Sequence, residues 1–497
     1  MSKLKDLIVK NRTAAIALSF TLLYMLANIV LLYFNKPIGL AIPFALLLLL
    51  FYALRLEEAF LGIALVTPWA INCDVVGDMD LSLPSEPMLI LFTALFLFRA
   101  LASKSYDTRI LTHPISILIM LQLAWWAITA CTSRIPIASF KYLTARLWFV
   151  IPLFFAGAQI FQNEKRAKQF LMCYVISLCG VIAYATTKTL GDFSDLQTLH
   201  RVMQPFYSDH TAYGCAIALC IPATLCIILQ SNTKGWRRLI WIALLGALLV
   251  GLMFSYCRAA WLSIVGAAMV YVVIRLKIKF KWLLAAGALM LGFILINQDE
   301  LLYRMGKNNQ DSDIELMGQL QSMGNISTDA SNLERFNRWA CAFRIFAENP
   351  VLGSGPGTYQ FIYGAYQLST QLSTISTNNG DLGNAHSEYI GPLTEQGIPG
   401  LIFVIAIFGT TIATGIRIFR TAADKRLGYM ALAFMLSLVT YYIHGVFNNF
   451  LDRDKLSVPF WAFTAIIVAL DLKNRAQLEH TEATKPAEAE EHGTAAK

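Results

Sequence analysis

The sequence predicts an all-α polytopic membrane protein with about 12–14 transmembrane helices and one large outer loop that contains short helices. Long runs such as "AIALSFTLLYMLANIVLLYF" and "IWIALLGALLVGLMF" carry no charge. Only 14% of the 497 residues are charged and 56% are hydrophobic, whereas soluble domains carry roughly 25% charged residues. Runs of about 20 apolar residues match the bilayer core, where α-helices satisfy the backbone polar groups internally.

The apolar runs place the spans along the chain. The first run is not a signal peptide, because it is long, lacks a small-residue cleavage site and is followed at once by another apolar run. The two runs after it are short, which is why the predicted number is a range. The spans lie near 14–34, 38–54, 57–71, 87–101, 114–130, 139–161, 169–188, 209–230, 239–255, 259–274, 282–297, 396–418, 427–447 and 456–471.

Lysine and arginine in the connections predict the orientation. Every second connection is dense in positive charge, as in "RLKIKFK", while the alternating ones are poor in it, as in "NCDVVGDMDLSLPSEP". Basic loops stay in the cytoplasm, so we expect cytoplasmic N- and C-termini. The net charge of +8 is then a topology signal. No basic face with interleaved aromatic residues indicates nucleic acid.

Four regions follow from these spans. One outer connection is far longer than the others, and a loop of that length is usually functional. The polar C-terminal tail is low in aromatic residues and predicts a disordered cytoplasmic segment. The regions are 1–297 (N-terminal spans), 298–385 (large periplasmic loop), 386–472 (C-terminal spans) and 473–497 (tail).

The large loop contains one amphipathic helix. The segment "SNLERFNRWACAFRIFAENP" places an apolar stripe at helical spacing, and Pro350 with "GSGPG" ends it. Such a helix either lies in the membrane interface or caps a cavity, or it packs on its own domain. The stripe consists of Leu333, Phe336, Trp339, Phe343 and Phe346.

Metal and cofactor chemistry has little support. The nine cysteines show no metal-binding spacing and read as small packing residues. Asp78 and Asp80 in "GDMD" have the Asp-x-Asp spacing used by metal-dependent glycosyltransferases, but any outer loop can contain it. "GSGPG" lacks a preceding strand and a following Lys-Ser/Thr, so it is a turn and not a phosphate loop. We expect no metal and no cofactor.

Polar residues gather at the predicted outer ends of the spans. A transporter would carry ionisable residues at mid-membrane depth, whereas one shared outer level predicts a site served by several helices. These residues are Arg201, Asp209, His210, Arg258, His386, Glu388, His444, Asn448, Asn449, Asp452 and Arg453.

Two of these arginines suit an anionic head group. An arginine at a helix end often only extends its charged group to the membrane interface. Arg201 can also be interpreted as a simple loop residue. Arg258, however, lies in a nearly loop-free connection and is held close to the protein body. Guanidinium groups bind phosphate oxygens in pairs and stabilise charge on a diphosphate leaving group.

His386 has two readings. It is either a structural histidine that bonds a loop carbonyl or a general base with a pKa near neutrality. Glu388 and Glu395 either orient it or form a solvated rim. Gly397 and Pro399 punctuate the helix, and such a break is allowed where it lines a cavity.

Four segments, in order, carry a family resemblance. They are "RVMQPFYSDHTAYGCAIALCIP", "FSYCRAAWLSIVGA", "RFNRWACAFRIFAENPVLGSGPGTY" and "NAHSEYIGPLTEQGIPGLIFV". Together they resemble the O-antigen ligase/polymerase superfamily of membrane glycosyltransferases over roughly residues 195–415. Two details depart from the common pattern: "HSEY" replaces His-Asn-x-Tyr, and Tyr256 and Cys257 separate the serine from Arg258.

The resemblance implies a GT-C-like fold and an undecaprenyl-diphosphate-linked glycan donor, used at the periplasmic face without a nucleotide sugar or metal. It makes Arg201 and Arg258 the diphosphate binders and His386, with Glu388, the catalytic pair. The candidate contacts from the large loop and its re-entry are Arg335, Arg338 and Tyr389.

The expected reaction is therefore transfer of a lipid-linked glycan to a hydroxyl acceptor, a lipid or a saccharide. A polymerase and a protein O-oligosaccharyltransferase are the alternatives within this class, since acceptor choice lies in the variable loop. A lipid or glycan transporter is the alternative from another class. The partners are the donor, the acceptor and membrane lipids, and no nucleic acid.

Overall fold

The computed structural model describes most of the chain. The described residues are 19–34, 42–74, 80–103, 105–191, 201–230, 235–279, 281, 282, 285, 289, 292, 296, 330–372, 376 and 383–483. By internal packing the chain divides into two units, Met1–Phe60 and Leu61–Lys497. The site described below lies within the second unit.

The described part of the chain is almost entirely helical. Ten of its helices are long and apolar enough to cross a membrane, which confirms the all-α polytopic class. The helices are α1 Ser19–Tyr33, α2 Ile42–Leu54, α3 Leu56–Val66, α4 Ser85–Ser103, α5 Pro114–Cys131, α6 Pro136–Ile160, α7 Glu164–Gly191, α8 His210–Gln230, α9 Trp236–Met253, α10 Arg258–Arg275, α11 Ala330–Glu348, α12 Tyr359–Ile362, α13 Ile390–Thr421, α14 Lys425–His444 and α15 Asp454–Ala483.

Four predicted spans differ from the structure or lie partly outside it. The spans 14–34 and 282–297 include residues outside the described part, as does 38–54 at its start. The span 57–71 is instead the 11-residue helix α3, followed by a short 3₁₀ turn that contains Pro68. Proline lacks an N–H and its ring opposes continuation of an α-helix, so α3 ends too early to cross a bilayer alone.

A short hairpin follows α3. Strands β1 Ile71–Asp74 and β2 Asp80–Leu83 pair antiparallel. The hydroxyls of Ser82 and Ser85 donate to the two carboxylate oxygens of Asp454, at 3.1 and 2.5 Å, and so fasten the hairpin to the start of α15. Asp78 lies outside the described residues, and of Asp80 only the backbone is described.

Helices α14 and α15 form the centre of the bundle. Their membrane-crossing stretches are the most buried of the ten, and α14 packs against α8, α10, α13 and α15. Helix α15 also continues to Ala483, past the predicted end of the last span at 471. Asp471 accepts bonds from His113, Arg417 and Arg475 at 3.2, 2.8 and 2.7 Å, which stabilises this extension.

Helix α11 of the large loop packs with its polar side inward. Its buried side carries Glu334, Asn337 and Arg338, with Cys341, Ala342 and Ile345 packed on the aromatic rings of Tyr359 and Tyr363. The predicted apolar stripe faces outward, because Leu333, Phe336 and Phe343 are exposed. The helix thus packs on its own domain through its polar side and leaves an apolar side suited to a membrane interface.

Candidate active site

The site is built around the turn that leads into α13. The backbone N–H of His386 donates to Asn384 Oδ1 at 3.1 Å, and His386 adopts a left-handed backbone with φ 48°. Ser387 Oγ then accepts the N–H groups of Tyr389 and Ile390. A non-glycine residue with positive φ is uncommon and is often found at functional sites. The turn therefore fixes the direction in which the imidazole of His386 leaves the backbone.

Arg338 supports this turn from α11. Its guanidinium bonds Glu334 Oε1 at 2.8 Å and the carbonyl of Asn384 at 3.2 Å, and it stacks 4.8 Å from the centre of the Tyr363 ring. A Cβ at Gly383 would collide with this guanidinium. Arg338 is thus a buried positioning residue for the segment that carries His386.

Glu388 clamps the turn to the loop between α14 and α15. One carboxylate oxygen, Oε1, accepts the Tyr441 hydroxyl at 2.6 Å and the backbone N–H groups of Phe450 and Leu451 at 2.9 and 3.1 Å. Burial raises the pKa of the Glu388 carboxyl, and the charge of Arg146 opposes that rise. No hydrogen bond joins Glu388 to His386 among the described contacts, so the carboxylate acts on His386 only through the turn.

Arg258 and Arg335 come from distant parts of the chain and act electrostatically on each other, and the charge of Arg335 also acts on His386. Arg258 begins α10 and Arg335 lies on α11, where its Nε donates to the Phe447 carbonyl at 3.2 Å. Their positive charges act unfavourably on each other, and burial lowers the pKa of Arg335, which stays far above neutrality because guanidinium is protonated throughout the accessible range. Held like charges of this kind suit a bound anion.

His386 lies in the field of these cations. Burial, followed by the charges of Arg338 and Arg335, lowers its pKa from 6.5 to about 3, although Asp209 acts in the opposite direction. The imidazole is therefore neutral at physiological pH, with one ring nitrogen able to accept a proton. This is the protonation state that a general base needs.

Asp209 supplies the negative charge of the cluster. Burial opposes its ionisation, but the hydroxyl of Thr211, the N–H of Ala212 and neighbouring cations hold its pKa below the ordinary value. Its Oδ1 accepts the N–H groups of Thr211 and Ala212 at 2.8 and 2.9 Å, which caps the N-terminus of α8. Asp209 is thus fixed by its own helix while its charge reaches Arg335 and His386.

Two other predicted residues stand apart from this cluster. Arg201 is exposed in the turn before α8, and within the described part of the chain its one recorded hydrogen bond is its carbonyl accepting from Gln204 at 3.0 Å. Tyr389 donates its hydroxyl to the Tyr442 carbonyl at 2.8 Å and packs edge-on against Phe408. A contact between Arg201 and a diphosphate is therefore a proposal. Tyr389 holds α13 to α14.

The motif "GSGPG" and the break in α13 form one interlocked unit. Glu395 accepts the N–H groups of Gly357 and Tyr359 through its two oxygens, both at 2.9 Å. Gly397 has φ 71°, and a Cβ there would lie 2.1 Å from the Val351 carbonyl oxygen. Ile398 in turn donates to the Pro350 carbonyl at 2.9 Å. These residues build the re-entry that carries His386.

Arg146 is a buried charged residue that the sequence interpretation missed. It lies inside the apolar helix α6, and its guanidinium donates to the Leu451 carbonyl at 2.6 Å and the Tyr142 hydroxyl at 3.3 Å. It lies 4.9 Å from the centre of the Trp126 ring. An arginine inside a predicted span is by itself a signal for function, and that signal was available in "YLTARLWF".

The fold and this cluster together define a multi-pass membrane protein that holds arginine and histidine side chains at one end of its helices. A family model described as O-antigen ligase matches residues 243–405, the stretch that contains Arg258, Arg335 and His386. The match confirms the resemblance to the O-antigen ligase/polymerase superfamily, whose members are glycosyltransferase-like enzymes. Among the curated proteins, none matches the chain.

Proposed function

We propose that the protein transfers a glycan from an undecaprenyl-diphosphate carrier to a hydroxyl acceptor at the periplasmic face of the inner membrane, as a ligase. In this reaction the acceptor oxygen forms a bond to the anomeric carbon of the donor. The bond from that carbon to the phosphate oxygen breaks, and undecaprenyl diphosphate leaves with the electron pair.

The observation that carries the proposal is that the charge of Arg335 acts both on Arg258, at the start of α10, and on His386, in the turn before α13. Two guanidinium groups held close against their mutual repulsion favour a ligand with negative charge on neighbouring oxygens. A diphosphate gains charge as it leaves, and fixed cations that meet it there lower the barrier. Arg201, in the exposed turn before α8, is proposed to contact the same group when the donor is bound.

The proposed base is His386. Its depressed pKa keeps the imidazole unprotonated but leaves it a weak base in the free protein, since a general base works best with a pKa near the working pH. A diphosphate beside Arg335 and Arg338 would offset their charge and raise the pKa of His386 in the complex. The histidine would therefore bind the proton more firmly while the donor is present, which is the order of events that transfer needs.

Glu388 supports catalysis as a positioning residue in this scheme. Its carboxylate holds the turn of His386 against the segment at Phe450 and Leu451. Metal independence belongs to the same proposal, since guanidinium groups take the place that a divalent cation would have at a diphosphate.

The test is reconstitution in proteoliposomes with undecaprenyl-diphosphate glycan and candidate acceptors, in the presence of chelator. We expect transfer with the unmodified chain and loss of transfer in Arg258→Ala and His386→Asn. The matched control is Arg275→Ala, because Arg275 is exposed at the other end of the same helix α10. Undiminished transfer by both site variants, or restoration of activity only by added metal, would contradict the proposal.

A further inference from the structure

A polar cavity of about 250 Å³ lies directly behind the turn of His386. It is bounded by α5, α6, the start of α13 and the start of α15, and Asn384 and Ala385 form part of its wall. It is therefore adjacent to His386 on the side of Glu388, and Arg258 and Arg335 do not line it.

The cavity contains a charged side chain that the fold holds in place. Arg146 is 7% exposed and is fixed by the Leu451 carbonyl and the ring of Trp126. No carboxylate of the described residues lies within ion-pair distance of it. A buried guanidinium has five N–H donors in a rigid fork, and among the described residues two oxygens accept from Arg146.

Two side chains that line the cavity each carry an oxygen that accepts no hydrogen bond from a described residue. Gln396 is 1% exposed, and its Oε1 has no hydrogen-bond partner among the described residues. The same holds for Asn449 Oδ1. A buried acceptor without a donor is unfavourable, so both oxygens favour a ligand that brings hydroxyl donors.

The charge of the cavity differs from that of the arginine cluster. Two cationic side chains, Arg146 and Arg453, line the cavity together with three carboxyl groups, those of Glu388, Glu395 and Asp452. A diphosphate would meet these carboxylates, whereas an uncharged polar ligand would not. Aromatic side chains complete the wall, namely Trp126, Tyr142, Phe408, Phe460 and Trp461.

A ligand with hydroxyl groups on its edge and C–H groups on its faces fits this combination. The volume lies just below the roughly 300 Å³ at which sites for drug-sized ligands begin, which suits one ring. We propose that the cavity is a subsite for a single uncharged pyranose ring, whose hydroxyls meet Arg146, Gln396 and Asn449. The proposal rests on the proposed function and adds the sugar that is presented to His386.

The test measures sugar binding separately from transfer. The probes are oligosaccharides released by mild acid from the lipid-linked pool of the organism that encodes this chain, and inorganic pyrophosphate. Binding of each to the full chain in detergent is measured by calorimetry. The variant is Gln396→Leu with Asn449→Leu, and the matched control is Gln169→Leu, an exposed amide on α7 away from the cavity.

We expect the double variant to bind the oligosaccharides at least about tenfold more weakly, because two hydrogen bonds are lost, and to bind pyrophosphate normally. Arg258→Ala should show the opposite pattern. Unchanged oligosaccharide binding in the double variant, or no oligosaccharide binding by the unmodified chain, would overturn the subsite. If the double variant does not fold, Gln122→Leu, which removes another amide from the cavity wall, gives the same test.

The transfer assay then identifies the source of the sugar. A raised KM for the acceptor alone assigns the ring to the acceptor, and a raised KM for the donor alone assigns it to the donor glycan. A chain that binds the oligosaccharides through these residues but transfers nothing would contradict the proposed function and leave the subsite standing.

Discussion

The arginine cluster (Arg258, Arg335 and Asp209) and the glutamate clamps (Glu388 and Glu395) use charge differently. Each clamp accepts backbone N–H groups from another segment, so its charge holds the fold together. In the cluster, two like charges are brought together and partly buried, which opposes folding.

This difference separates residues that stabilise the fold of the site from residues that we propose to contact the ligand. A carboxylate that accepts several backbone N–H groups stabilises its fold, and removing it leaves those donors unpaired. The mutual repulsion of two partly buried cations costs stability, and a bound anion would offset that cost. Variants of His386, of the arginine cluster and of the glutamate clamps test this difference, and the variant of His386 has the largest expected effect.

Replacing His386 with asparagine should reduce transfer by about 10²–10⁴-fold, the usual range for removal of a general base. Asparagine tolerates the left-handed backbone better than most residues, so the turn at φ 48° should survive. Transfer kinetics and a thermal melt of the same preparation measure both effects. Activity close to that of the unmodified chain would remove His386 from the mechanism.

Arg335→Ala should lower transfer by about 10²–10³-fold, as expected for loss of one group that stabilises the leaving charge. Its melting temperature should fall less than that of Glu388→Ala, because relief of the repulsion from Arg258 offsets the lost hydrogen bond to the Phe447 carbonyl. A large fall in melting temperature with the same fall in transfer would instead make Arg335 a structural residue.

Glu388→Ala should destabilise the protein by about 2–4 kcal/mol, because the N–H groups of Phe450 and Leu451 and the hydroxyl of Tyr441 lose their acceptor. Glu388→Gln keeps an oxygen at that position and should lose much less. Thermal unfolding in detergent compares the two variants. If Glu388→Ala melts normally and still loses transfer, the carboxylate is catalytic and the division between clamp and cluster fails.

Gly397→Ala should destabilise the protein by about 1–3 kcal/mol, because the backbone is left-handed and the new Cβ would meet the Val351 carbonyl. Gly409→Ala lies in the same helix α13 with nothing within 4 Å of the added Cβ. It should be neutral or stabilise by up to about 1 kcal/mol. Equal melting temperatures for the two variants would show that the break in α13 carries no strain.

Near neutral pH, the smallest expected effect is the response to pH. The pKa of His386 in the folded protein, about 3, lies below its ordinary value of 6.5. Its neutral form therefore contributes stability that is complete above about pH 6.5 and is lost as the pH falls from there towards 3. For catalysis, kcat/KM should show no loss with a midpoint near 6.5, since this ratio reports the free enzyme. Such a midpoint, absent in His386→Asn, would contradict a depressed pKa.

Much of the fold follows from sequence because hydropathy and basic connections act locally. The same patterns predicted that Arg258 and His386 share one level of the membrane, and the structure brings both to Arg335. The role of Glu388 was not predictable, because its partners Phe450 and Leu451 come from a loop far along the chain.

Two other features needed the structure. For α11 the sequence left open whether the apolar stripe meets the membrane interface, caps a cavity or packs on its own domain, and in the structure Phe336 and Phe343 are exposed while Arg338 and Glu334 pair on the buried side. Arg146 was visible as a charge inside an apolar span, but its contact with the Trp126 ring joins segments that are separate in the sequence.

The central claim is that Arg258 and Arg335 form a diphosphate site. It is tested most directly by calorimetric titration of undecaprenyl diphosphate into the full chain, carried out in detergent with the unmodified protein, Arg258→Ala, Arg335→Ala and Arg275→Ala. We expect at least tenfold weaker binding, roughly, in Arg258→Ala and Arg335→Ala, since each loses a charge-assisted bond. Binding by Arg275→Ala should be unchanged. Equal affinity in all four proteins would contradict it.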